Sequence, residues 1–328
     1  MENSQLPLVL ITHTLPDGWL DLLNDRCRMV TGPQDAERLS PNLEAHLPQA
    51  EGLLSLLTIK VDEDLLNRAP NLKVISNMAV GFDNIDIQNC TRHRIPVGNT
   101  PGVLTNGTAD LTMAILLAAA RRLLEANQDA RQGNWKTWSP TGWLGKDLYA
   151  ATLGLVGMGK IGSAVAERAH GFGMKIIFTD PNPINEIAER LGARHVPLDL
   201  LLQESDFVSL HVPLTPETRG LMNKDTLSMM KSSAILVNTS RGPIVDAEAL
   251  LLALREDWIA GAALDVTDPE PLPPNHKLFS QPNCLIVPHI GSATWNTRRQ
   301  MAERACVNLL AGLENQRLPY CVNPEVYD

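Results

Sequence analysis

The chain has 328 residues, 44% of them apolar and 20% charged, and carries a formal net charge of -9 at neutral pH. That length asks for two hydrophobic cores rather than one. The acidic balance argues against nucleic acid or an anionic membrane as the main partner, because phosphate-rich surfaces demand an excess of Lys and Arg.

Short apolar runs alternate with helical patterns throughout, the signature of βα units and parallel sheets. Leu8 to Ile11, Gly52 to Leu57, Leu72 to Ser76 and Ile95 to Gly98 read as strands of a first, smaller sheet. Asp62 to Ala69 reads as a helix opened by acidic residues and closed before Pro70. After Thr100-Pro101-Gly102 the pattern changes to one long helix, Leu104 to Ala126, apolar on most of its circumference and so buried between layers or at a subunit contact. A larger α/β region follows from Thr152, with strands at Leu153 to Val156, Lys175 to Thr179, Phe207 to His211, Ala234 to Asn238, Gly261 to Asp265 and Leu285 to Val287. The last helix, Thr297 to Glu314, comes after the final strand and is expected to return to the first sheet. The expected fold is therefore α/β with two doubly wound parallel-sheet domains, a Rossmann cofactor domain and a smaller flavodoxin-like substrate domain with a cleft between them. Residues 1–99 and 290–328 are assigned to the substrate domain and 100–289 to the dinucleotide-binding domain.

No stretch reaches the roughly 20 apolar residues that span a bilayer, and MENSQLPLVLITH shows no basic segment ahead of a long apolar one. Cys27, Cys90, Cys284, Cys306 and Cys321 are odd in number and lack CxxC spacing, so they read as reduced thiols rather than a disulfide frame or zinc site. The expectation is a cytoplasmic protein without metal, membrane or nucleic acid.

The segment TLGLVGMGKIGSAVAERAHGFG places Gly157, Gly159 and Gly162 in GxGxxG spacing between a strand and a helix. Gly157 permits the tight turn, Gly159 lets backbone approach a pyrophosphate, and Gly162 lets the helix pack close to the strand. The amides at that helix start favour the pyrophosphate's negative charge. Asp180 follows the strand KIIFT, at the distance where a carboxylate meets the adenosine ribose hydroxyls and repels a 2′-phosphate. NAD(H) is therefore preferred, with NADP(H) the second choice; Arg190 and Arg194 are the downstream cations that a fold could bring back toward such a phosphate.

Arg241, Glu270 and His289 each lie a few residues beyond a buried strand, where open α/β sheets bind their ligands. A guanidinium can bond a substrate carboxylate in pairs and polarise the adjacent keto oxygen. The His289 imidazole can donate a proton to a carbonyl oxygen, and Glu270 on the other ring nitrogen would hold the tautomer. Glu270 stands in DVTDPEPLP, among prolines that stiffen its loop. Asp265 closes its strand, either facing a nicotinamide carboxamide or capping the strand end.

Taken in order, AVGFDNID, GMGKIG, NTSRGPIVD, AGAALDV, DPEPLP and PHIGSAT resemble the motifs of the D-isomer-specific 2-hydroxyacid dehydrogenases, over nearly the whole chain. Within that family the stretch LDVTDPEPLPPNHKLF with NCLIVPHIGSATWNTRRQMA, and Trp138 and Trp143 before the glycine loop, is most similar to glyoxylate/hydroxypyruvate reductases. The resemblance implies reduction of a small 2-oxo acid, glyoxylate or hydroxypyruvate, to the D-2-hydroxy acid or glycolate. It implies a substrate carboxylate held by the Val80 and Gly81 amides with Arg241, a pocket that includes Leu56, Trp143 and Ser292, and proton transfer by His289 and Glu270. Cofactor contacts are implied at Thr108, Lys160, Ile161, Pro213, Thr218, Thr239, Arg241, Asp265, His289 and Gly291, besides the glycines and Asp180. A homodimer is implied, built by the cofactor domain and the long helix, with a Trp near Trp143 reaching the partner's site. One departure is the stretch Thr179-Asp180-Pro181-Asn182, where NADPH-preferring reductases carry Arg-containing loops. Val80 replaces the lysine of phosphite dehydrogenases, and Glu270 the glutamine of formate dehydrogenases. The alternatives are another D-2-hydroxyacid dehydrogenase of the D-lactate or phosphoglycerate type, or a non-catalytic NAD-sensing protein like the corepressors that share this fold.

Overall fold

The structure, a computed structural model, describes residues 6–182, 184 and 186–328. The first five residues, part of the stretch read for a leader, lie outside the described residues. The chain divides into two compact units: the residues up to Leu104 together with Thr294–Asp328, and Thr105–Ala293.

The first unit contains β1 (Leu8–Ile11), β2 (Arg28–Thr31), α1 (Pro41–His46), β3 (Gly52–Ser55), α2 (Glu63–Arg68), β4 (Val74–Asn77), α3 (Ile87–Arg92) and β5 (Val97–Gly98). Its strands form one parallel sheet in the order β2-β1-β3-β4-β5. The run LVLI of β1 is buried at every position because the two faces of the sheet pack into separate cores. Leu8 and Leu10 join one with Leu43, Leu53 and Leu66; Val9 and Ile11 join the other with Leu23, Leu54 and Leu309. A strand covered on both sides has no polar face to alternate with. The Asp62 carboxylate caps α2 by accepting the Leu65 amide.

The second unit opens with α4 (Thr105–Ala120) and α5 (Leu123–Arg131), then runs through β6 (Thr152–Val156), α6 (Lys160–Gly171), β7 (Lys175–Thr179), α7 (Glu186–Leu191), β8 (Arg194–His195), α8 (Leu198–Glu204), β9 (Phe207–Leu210), α9 (Lys224–Ser228), β10 (Ile235–Asn238), α10 (Ala247–Arg255), β11 (Gly261–Leu264) and β12 (Cys284–Ile286). All seven strands are parallel, in the order β12-β11-β10-β9-β6-β7-β8, with β6 and β9 meeting where the order reverses. The last helix, α11 (Trp295–Leu313), packs on β3 and β4 of the first unit, where the Ser76 hydroxyl donates to the Ala305 carbonyl at 2.8 Å.

Two expectations need correction. The single helix expected from Leu104 to Ala126 is two helices: Arg122 adopts φ +53°, and the Ala120 carbonyl accepts the Lys146 amide at 2.8 Å instead of continuing the helix. The charged Arg121-Arg122 pair ends the apolar surface that made α4 look continuous, and α5 buries no residue. The edge strands β2 and β8 escaped notice because their burial patterns, partly or wholly exposed, lack an apolar run. No helix among the described residues is long and apolar enough to cross a membrane.

Candidate active site

Strand ends in the second unit bring the singled-out residues to one edge of the sheet. His289 follows β12 in the left-handed region at φ +50°, which few side-chain-bearing residues adopt without support. The support is Asp265, at the end of β11. Its carbonyl accepts the His289 amide at 2.9 Å, and its two carboxylate oxygens accept the Ile290 and Gly291 amides at 2.6 and 2.9 Å. The carboxylate thus caps the loop that carries His289. Burial pushes its carboxyl up, opposed by those amides and by His289.

The His289 Nδ1 meets a Glu270 carboxylate oxygen, which leaves Nε2 as the ring's other polar atom. Glu270 is steadied by its own loop: the Thr267 amide donates to its second oxygen at 3.4 Å, and the Thr267 hydroxyl donates to the Pro269 carbonyl at 2.8 Å. Arg241 follows β10, and its backbone is held by Asn238, whose amide nitrogen donates to the Arg241 carbonyl at 2.9 Å. The next residue, Gly242, passes so near the Glu270 loop that a Cβ there would stand 1.9 Å from the Thr267 carbonyl oxygen. Only glycine permits that approach, and it ties the Arg241 loop to the Glu270 loop.

Around the glycine loop, Gly157 has φ +97°, and a Cβ on it would lie 2.8 Å from the backbone of His211. Gly159 begins α6 with nothing within 4 Å of its Cβ direction and no side-chain cap. No acceptor among the described residues meets the Lys160 and Ile161 amides. Open backbone and unpartnered amides at the start of a 12-residue helix fit a pyrophosphate. Asp180, at the end of β7, accepts the Met158 amide of that loop at 2.7 Å and the Asn182 amide at 2.8 Å. The two downstream cations are engaged elsewhere, Arg190 with Glu167 and Arg194 with Glu204. After β9 the Thr218 hydroxyl donates to the Pro213 carbonyl at 2.6 Å, closing a tight loop that begins beside Gly157. On α4, Thr112 binds the Thr108 carbonyl and the Thr239 hydroxyl, at 2.8 and 2.9 Å, and Thr108 lies against Gly291. Ser292 is the residue after Gly291.

Trp143 stands apart from this edge. Its indole nitrogen donates to Asp129 on α5 at 3.2 Å, and Arg122 lies 4.8 Å from its ring centroid. The neighbouring Leu144, Gly145 and Lys146 line a groove with Ile235, Gly261 and Cys284, the residues that begin β10, β11 and β12. That is the opposite end of the strands from Arg241 and His289. Leu56, Val80 and Gly81 belong to the first unit, at the carboxyl ends of β3 and β4.

The motif reading passed over Asn238, Thr112 and His211. Asn238 stands inside the quoted NTSRG motif, so its position was readable; Thr112 gives no signal, being a hydroxyl in an apolar helix. His211 follows β9 with Nε2 2.9 Å from the Ser209 hydroxyl, and burial alone lowers its pKa to about 4. A histidine held neutral in the fold and free to protonate when unfolded makes stability fall with acid. The contribution is complete above about pH 6.5 and is lost as pH drops toward 4, by up to about 3 kcal/mol. Urea denaturation at intervals from pH 7 to 4 should show that slope, and His211→Gln should flatten it; an unchanged slope in the variant removes His211 as its source.

Residues 113–291 match the family model described as "D-isomer specific 2-hydroxyacid dehydrogenase, NAD binding domain". The chain belongs to this family. A glyoxylate reductase of Korarchaeum cryptofilum is 45% identical across 98% of this chain and 97% of its own. One from Aeropyrum pernix is 51% identical across 85% and 84%. Among solved structures, a Thermus thermophilus protein is 47% identical and superposes with a TM-score of 0.89, covering 96% of this chain and 99% of that one. The seven-stranded unit is thus the NAD-binding domain of a 2-hydroxyacid dehydrogenase.

Proposed function

We propose that this dehydrogenase reduces glyoxylate or hydroxypyruvate, with NADH preferred over NADPH, to glycolate or the D-2-hydroxy acid. The observation that carries the reading is the His289–Glu270 pair locked beside the Arg241 loop at one sheet edge, together with the glyoxylate reductase relatives. Bound NADH supplies the reducing equivalent at the carbonyl carbon. His289 delivers a proton from Nε2 to the carbonyl oxygen, while Glu270 on Nδ1 steadies the ring's charge and orientation. Arg241 takes the substrate carboxylate and the charge growing on the carbonyl oxygen. We assign the Val80 and Gly81 amides to the same carboxylate, Leu56 and Ser292 to the pocket around the substrate, and the first unit to substrate binding.

For the cofactor, the Lys160 and Ile161 amides would hold the pyrophosphate and Asp180 the adenosine ribose. Thr108, Pro213, Thr218, Thr239, Asp265 and Gly291 surround that edge, and we assign them to the cofactor. Arg190 and Arg194 are paired with Glu167 and Glu204, which supports NADH. A panel of 2-oxo acids assayed with both cofactors tests the proposal. The expected result is highest kcat/KM with glyoxylate or hydroxypyruvate and NADH, and a gain with NADPH in Asp180→Ala. A wild-type preference for NADPH defeats the cofactor assignment; no turnover of any 2-oxo acid defeats the function.

Trp143 can serve a substrate site only in another copy, since its own chain keeps it at the far end of the strands. Leu123, Leu124, Trp135, Trp138 and Leu144 are exposed around it, an apolar surface of the kind that associates. We assign a homodimer to that surface; a monomer mass by light scattering at micromolar protein removes both statements.

A further inference from the structure

The loop after β4 is tied down from behind at three successive carbonyls. The Thr100 amide donates to the Ala79 carbonyl at 2.8 Å, the Asn99 side-chain amide to the Val80 carbonyl at 2.8 Å, and the Asn77 side-chain amide to the Gly81 carbonyl at 2.9 Å. In a trans peptide the carbonyl and the following N–H point in opposite directions. Fixing the Ala79 and Val80 carbonyls therefore turns the Val80 and Gly81 amides the other way. Neither amide meets an acceptor among the described residues, although both residues are at least partly buried.

The donors are themselves held. Asn77 is fully buried and also donates to Asn84 at 3.2 Å; Asn84 in turn donates to the carbonyls of Leu56 and Ile59 at 3.2 and 2.9 Å. The Asn99 amide donates to the Tyr320 carbonyl at 3.1 Å, and its carbonyl accepts from the fully buried Asn308 at 2.9 Å. Asn308 also accepts the Tyr320 amide at 3.1 Å, and Arg304 stacks on the Tyr320 ring at 4.2 Å while donating to the Pro101 carbonyl. Two side chains and one backbone amide thus hold the loop directly, and Asn84, Asn308 and the Tyr320 carbonyl hold those donors in turn.

We infer that Asn99 is a positioning residue that, together with the Thr100 amide, holds the Val80 and Gly81 amides as a preformed cradle for the substrate carboxylate, with Asn77 anchoring the carbonyl that follows. The inference rests on the function proposed above. Donors fixed in advance need no reorganisation when the anion arrives, so the clamp acts on substrate affinity. Without the Asn99 donor the Val80 carbonyl is free to rotate, and the Gly81 amide loses its aim. Loss of a hydrogen bond to a charged group corresponds to about a 10- to 100-fold loss of affinity.

The test uses the full chain with NADH. In Asn99→Leu, which keeps the bulk and removes the donor, KM for glyoxylate and Ki for oxamate should rise together by about 10- to 100-fold. In the same variant kcat should stay within about threefold and the NADH dissociation constant within about twofold, a split that general loosening of the fold does not produce. Asn99→Ser, too short to reach the Val80 carbonyl, should repeat the pattern and serves if Asn99→Leu does not fold. Unchanged KM and Ki in an active protein overturn the cradle and leave the proposed function standing, as does a parallel loss of kcat and NADH affinity. A wild-type protein that turns over no 2-oxo acid overturns both.

Discussion

Replacing His289 by asparagine is expected to lower kcat for glyoxylate reduction by about 10²- to 10⁴-fold, the range lost with a general acid, while the NADH dissociation constant stays within about twofold. The asparagine keeps polar volume and tolerates the left-handed backbone that His289 adopts at φ +50°, so the loop geometry survives. What disappears is the proposed proton donor, whose Nδ1 is committed to Glu270. Single-turnover kinetics, with cofactor binding followed by fluorescence, measure both. A variant that keeps more than a tenth of the wild-type rate removes His289 from the proton step.

Arg241→Ala should cost about 10³-fold in kcat/KM, because in the proposed mechanism it removes a paired contact to the carboxylate and the cation facing the developing oxyanion. Arg241→Lys should recover only part of that loss, since an ammonium supplies charge without the planar pair of donors. The guanidinium donates to the Ser240 carbonyl at 2.8 Å, but the backbone around position 241 is also held by Asn238 and by the Gly242 approach to Thr267. Folding should therefore survive, and thermal denaturation checks that. Full activity in Arg241→Lys would mean that charge alone suffices and would refute the bidentate role.

Much of this molecule is legible from local sequence. The apolar runs that predict β1, β7 and β10 are the strands observed to within a residue at each end, because a strand buried on both faces announces itself without any partner. The β2 and β8 edges do not, since half their backbone faces solvent and their side chains are exposed or only partly buried. GMGKIG and the acid after KIIFT can be read together because a strand, a turn and a helix start are near neighbours in the chain.

By itself the sequence determined the two-sheet α/β class, the family, the glycine loop and the candidacy of Arg241, Glu270 and His289, all of which depend on residue type and short-range periodicity. Tertiary structure alone decided that Asp265 caps the His289 loop, that α4 breaks at Arg122, that Trp143 lies at the far end of its strands, and that Asn77 and Asn99 brace Val80 and Gly81 from behind. These are contacts between loops whose meeting is set by how parallel strands register and how a helix ends. A hydrogen-bond partner chosen in three dimensions leaves no spacing in the chain to read.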